Sequence, residues 1–312
     1  MTEKLISRPG LITGVSLTLA GLILQLLIGP VRWQALDTPV NFILLAAFPA
    51  ILFTTYRIFG NSSAVMWLGS ARAASASIAW TLVMMLTMGL IRQQPLPMGF
   101  EDMPAYLHFP GLHDMRTNWS FVLIFLWLLT ALGMALIRVC IPLKIKRIAF
   151  LLNHLGLFVA LLAGALGTPQ NRHYRLTLKE GESSSQIIDP VGQPHAIPFT
   201  IELKDFDVTF YESDDYDRSN QIPKKFVSTV GISKSGKQDG TYSISVNHPA
   251  RIGHWRVYQY GYDTGSDPEH AASTFEIVCN PWHGLFLTGI LIMFAGAIAL
   301  FVQTSKRKET AV

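Results

Sequence analysis

Hydrophobicity runs along this chain in blocks, and the blocks limit what it can fold into. Five long apolar segments occupy the first 168 of 312 residues. A polar stretch of about 110 residues with strand-like alternation follows, and a sixth apolar segment then leads into a basic tail. Crossing a bilayer as a helix takes roughly 20 apolar residues. Leu11–Pro30, Asn41–Phe59, Ala73–Ile91, Trp119–Ile141, Ile148–Gly167 and Gly284–Val302 approach or meet that length. Half the residues are hydrophobic and 15% are charged, the wrong balance for a soluble enzyme.

The expected fold class is therefore a polytopic α-helical membrane protein, about six transmembrane helices with one extracytoplasmic antiparallel β domain. Residues 1–146 would form an N-terminal membrane region of four helices and 147–167 a histidine-containing helix. Residues 168–281 would form the β domain, 284–303 the last helix and 304–312 the basic tail. Lys4 and Arg8 precede the first segment as in a signal peptide. Its apolar run is long and no A-x-A-like site follows, so an uncleaved anchor is expected.

Charge sets the orientation. With the N-terminus in the cytoplasm, that side carries Lys4, Arg8, Arg57, Arg72, Arg138, Lys144, Lys146, Arg147, Lys306, Arg307 and Lys308. The short outer loops carry Arg32, Arg92 and Arg116. Eleven against three places both termini inside and the β domain outside.

Within the β domain, Phe199, Ile201 and Leu203 alternate with polar residues, and Phe206, Val208 and Phe210 do so in the opposite parity. The change predicts a bulge or bend in one long strand. Tyr242, Ile244 and Val246 define another strand, Ser233–Gly240 a hairpin loop, and Arg251–Tyr262 a further aromatic strand. A sandwich-like or half-barrel domain is expected.

Few residues offer chemistry. No basic run is interleaved with aromatics, which argues against nucleic-acid binding. Cys140 and Cys279 would lie on opposite faces of the membrane, and neither belongs to a C-x-x-C or C-x-x-C-H motif. The acidic run Glu212–Asp217 lacks the glycine and closing glutamate of a calcium loop and reads as solvated. His108 and His113 fall in an outer loop with Phe100, Tyr106 and Phe109; His173, His195, His248, His254 and His270 lack the spacing of a zinc site.

His154 is different, because it lies well inside an apolar segment. An ionisable side chain there is costly and should face a cavity, a ligand or another helix. It reads equally as a ligand or as an imidazole hydrogen-bonded between helices, assisted by Asn153. His283, after Pro281-Trp282, reads first as an interfacial anchor and second as a cofactor contact.

Several stretches together resemble the ResB/CcsB family of System II cytochrome c biogenesis. They are Phe150–Leu157 around His154, Asp205–Tyr211, Pro223–Thr229, Val246–Pro249, Arg256–Asp263 and Cys279–Pro281, in that order. The resemblance runs from about Arg147 to Val302. It implies a bacterial cytoplasmic (inner) membrane protein that helps move haem across the membrane and attach it to apocytochrome c. It also implies that His154 is an axial ligand of a transiently held haem b. The second ligand would come from a CcsA-like membrane partner bearing the WWD domain, which this chain lacks. The chain would then be non-catalytic alone, a subunit of a holocytochrome c synthase. Two alternatives stand beside this: a scaffold that stabilises a membrane partner without binding haem, and a membrane sensor or b-type haem subunit. The four segments before the His154 helix exceed the family pattern and have no role assigned.

Overall fold

The computed structural model describes residues 8–93, 111–141, 144–211, 223–234, 237–263 and 272–309. Phe100, Tyr106, His108, Phe109, the acidic run at 212–217 and His270 lie outside the described residues. The helices are α1 (Arg8–Ile28), α2 (Val40–Phe59), the short α3 (Ser63–Leu68), α4 (Ala71–Leu90), α5 (Trp119–Cys140), α6 (Ile148–Gly167) and α7 (His283–Glu309). Among the described residues, six of these helices are long and apolar enough to cross a membrane. The protein is thus multi-pass.

Side chains satisfy first-turn N–H groups of α3, α4 and α5, as an apolar surrounding favours. Ser62 Oγ accepts from Val65 N–H and Ser70 Oγ from Ala73 N–H, each at 3.3 Å. Asn118 Oδ1 accepts from Ser120 N–H at 2.9 Å. The helix α3, which the apolar-run reading missed, follows from the first of these caps.

Two compact units result: residues 1–169 with 284–312, and residues 170–283. In the first, α1 packs on α5, where Ser120 Oγ donates to Thr18 O at 2.9 Å. The pair α6 and α7 is closer still. A Cβ on Gly156, Gly289 or Gly296 would collide with backbone of the opposite helix, so the two helices touch main chain to main chain.

The second unit is an eight-stranded antiparallel sheet in the order β5-β4-β3-β2-β1-β8-β7-β6. Its strands are β1 (Arg172–Lys179), β2 (Ser183–Ile188), β3 (Pro194–Phe210), β4 (Pro223–Lys234), β5 (Lys237–Ser245), β6 (Ala250–Ile252), β7 (Trp255–Asp263) and β8 (Ala272–Cys279). The strands at the two ends of that order, β5 and β6, are consecutive in the chain. Only residues 246–249 join them, with Ser245 and His248 exchanging backbone hydrogen bonds. So short a link forces the sheet to curl, and it forms a nearly closed barrel.

Ile187, Ile201, Leu203, Val230, Ile232, Ile244, Val257, Phe275 and Ile277 fill its interior with no exposed surface. Each stabilises the fold by about 1.5–3 kcal/mol. The expected bulge is present, a register shift between Leu203 and Asp205 on β3. Two expectations change. The Arg251–Tyr262 segment is a hairpin, because Gly253 at φ +59° turns the chain between β6 and β7. The Ser233–Gly240 loop is mostly strand, with Lys234 paired to Lys237.

Candidate functional site

His154 lies six residues into α6, about 9 Å along its axis at 1.5 Å per residue. Its Nδ1 is 2.9 Å from the carbonyl oxygen of Phe150, one turn back. A carbonyl only accepts, so Nδ1 carries the proton and donates. That fixes the tautomer, leaving the lone pair on Nε2, which has no hydrogen-bond partner among the described residues. The Phe150 ring stacks on the imidazole at 3.8 Å between centroids and holds its plane. A donating Nδ1–H with a free Nε2 is the arrangement that prepares imidazole to bind a metal.

Beside the ring is a cavity of about 860 Å3, bounded by α4, α5 and α6. Small-molecule sites occupy roughly 300–1,000 Å3. Small residues create the space: Ala74 and Ser77 on α4 face Ala131 and Ala135 on α5. The hydroxyls of Ser77 and Thr81 are spent on their own helix, donating to Ala74 O at 2.9 Å and Ser77 O at 2.8 Å. The wall is therefore apolar in effect, apart from His154 and Arg138. An iron porphyrin is a planar, largely apolar ring with carboxylates at one edge and an iron that takes neutral imidazole, and an apolar wall with one imidazole and one guanidinium is of the kind such a group needs.

The opposite face of α6 is occupied. Asn153 Nδ2 donates to Met293 O on α7 at 3.1 Å, and Gly156 lies against the α7 backbone. Asn153 thus spans the helices while His154 bonds within its own. The inter-helix hydrogen bond considered for His154 is made by its neighbour.

The remaining candidates stand apart from this cavity. His283 opens α7 and belongs to the second unit, half-buried, with Arg251 and Arg256 as its charged neighbours. Trp282, beside it, donates its indole N–H to Gln170 Oε1 at 2.6 Å. His113 Nδ1 donates to Arg92 O at 2.8 Å. His173 pairs with Glu276 at 3.2 Å and His195 with Asp189 at 2.9 Å. His248 reaches Ser245 Oγ at 3.4 Å, and the His254 carbonyl accepts from Asn280 N–H at 3.1 Å. Among the described residues no three His, Cys, Asp or Glu side chains converge as a metal site. Cys140 and Cys279 are free thiols. Burial pushes the Cys279 thiol above its ordinary pKa, against the pull of Arg172.

Two features escaped the sequence. Arg138, read there for topology alone, lines the same cavity as His154. In the barrel, Ser228, Gln259 and Ser273 are buried and bonded to one another at 2.6–2.8 Å, a polar layer across an apolar interior.

Residues 144–275 match the ResB-like family, in agreement with the motifs around His154 and in the barrel strands. The chain is 32% identical over 137 residues to the cytochrome c biogenesis protein CcsB of Synechococcus sp. (strain WH7803). The match covers 44% of this chain and 28% of that relative's length. The helices α1 to α5 precede the matched region.

Proposed function

We propose that the protein is an accessory subunit of a System II cytochrome c maturation complex that helps carry haem across the bacterial cytoplasmic membrane to apocytochrome c. In this reading both termini are cytoplasmic, and the barrel lies outside, where it holds the apocytochrome or the partner in place. His154 Nε2 takes one axial position of the haem iron, and a histidine of a CcsA-like partner takes the other. The observation that carries the reading is an imidazole with its Nδ1 proton committed and its Nε2 lone pair free, beside a cavity of about 860 Å3.

Each residue has a part in holding the cargo. Phe150 fixes the plane of the His154 ring through its own ring and the tautomer through its carbonyl. Asn153 and Gly156 fix α6 against α7, so the imidazole is presented from a rigid helix. Haem is cargo here, and its iron supplies the attraction to imidazole; bond formation to the apocytochrome belongs to the partner.

The test is to co-purify the full chain with its CcsA-like partner and read the Soret band. Wild type should carry haem, and His154→Ala should lose about tenfold or more of it at matched protein level. Undiminished haem in His154→Ala, with intact cytochrome maturation, would replace this reading with that of a scaffold.

A further inference from the structure

Arg138 stands two residues before the end of α5, exposed, on the rim of the His154 cavity. It has no carboxylate partner among the described residues. The helices α4, α5 and α6 that bound the cavity contain no Asp or Glu. Among the described residues, the charges that flank these three helices at that end are of the same sign: Arg72 in the first turn of α4, and Lys144, Lys146 and Arg147 ahead of α6, all exposed. The terminal carbonyls of α5 offset part of the Arg138 charge, since a helix C-terminus is worth only about half an elementary charge. The far end of the cavity is walled by Met85, Met88 and Phe121 and offers no charge. The cavity is therefore polarised, cationic at one end and apolar at the other.

We infer that this cavity binds an amphiphile with a carboxylate in a fixed orientation, its acid group on the Arg138 guanidinium and its apolar body directed toward Phe121. The inference deepens the porphyrin reading above and rests on it. It gives α4 and α5, which lie outside the ResB-like region, the task of building the acid-binding half of the site. A guanidinium suits that task, because it presents a fork of N–H donors to a carboxylate and stays charged at every physiological pH. The competing source of an anion at Arg138 is a lipid phosphate.

The experiment uses the full chain in phosphatidylcholine nanodiscs and two iron-free probes, protoporphyrin IX and its dimethyl ester, titrated by fluorescence. Without iron, the result does not depend on His154 ligation, which the Soret measurement on His154→Ala tests separately. The unaltered protein should bind the diester about tenfold more weakly than the diacid. Arg138→Gln should bind the diacid about tenfold more weakly than wild type and no longer tell the two probes apart. Arg138→Lys should retain most of the preference, and the diacid–ester comparison on unaltered protein needs no variant to fold. Equal binding of diacid and diester by the unaltered protein would overturn the proposal. So would a preference that survives in Arg138→Gln, or one that disappears when phosphatidylglycerol is added, since the last assigns Arg138 to lipid.

Discussion

Asn153 and His154 are adjacent in the chain and serve different faces of α6. Asn153 crosses to the Met293 carbonyl on α7 at 3.1 Å, and His154 turns back to the Phe150 carbonyl and the cavity. A helix rotates by about 100° per residue, so one position both anchors the helix and the next stays available. The anchoring face is where glycine matters.

Gly156→Leu should separate α6 from α7, because any Cβ at 156 meets the Met293 backbone. Forcing volume into such a contact costs about 1–3 kcal/mol. We expect a lower melting temperature in detergent and reduced haem retention in the partner complex. Gly164→Ala is the control: its Cβ would lie 3.8 Å from the Phe286 ring, an ordinary contact, and should change neither.

In the barrel, Ser228→Ala removes the donor to Gln259 Oε1 and leaves that oxygen buried without it. An unsatisfied buried polar group costs about 1–3 kcal/mol. Thermal unfolding of the full chain followed by near-ultraviolet circular dichroism should report a loss of that order. Unchanged unfolding would mean that water reaches the Ser228–Gln259–Ser273 layer.

The turn joining β2 and β3 should loosen in acid. The backbone N–H of Gln193, the His195 side chain and the Val191 N–H all hold the Asp189 carboxyl below its ordinary pKa. A depressed carboxylate contributes its stabilisation above the unfolded pKa and loses it as pH falls through the folded value. Hydrogen exchange at Val191 and Gln193 should therefore accelerate only as pH drops below the ordinary carboxylate value near ~3.9, and Asp189→Asn should abolish that dependence.

Labelling of the two thiols tests the orientation. A membrane-impermeant maleimide applied to intact spheroplasts should modify Cys279 and spare Cys140 until the membrane is opened. The Cys279 reaction should be slow near neutrality and rise with pH beyond the ordinary thiol range, because burial raises its pKa. Labelling of Cys140 alone in intact cells would reverse the topology.

Sequence carried the parts of this structure that depend on local periodicity. The membrane segments announced themselves by apolar length, and the opposite parities of Leu203 and Phe206 revealed the bulge on β3. Gly253 hid the β6–β7 turn, because a lone glycine between the short run Ala250–Ile252 and the aromatic run Trp255–Tyr262 makes only a small break in the pattern. The helix α3 was hidden by its length, since six residues are too few to register as an apolar run. The site was half legible. Depth alone marked His154, but its cavity depends on which small residues of α4 and α5 face one another, and no single segment encodes that. Arg138 was visible only as a topological charge until the absence of acid on the surrounding helices gave it a second meaning.

The first and last strands of the barrel are direct neighbours, with Arg172 opposite Cys279, so the chain enters and leaves that unit through a single doorway. The helices that deliver and receive it, α6 and α7, are themselves pressed together through glycines. In chain order the barrel is therefore a single insertion, following α6 and preceding α7. An insertion whose two ends lie side by side asks little of the helices that flank it, so the helical pair and the histidine it steadies are held by contacts of their own.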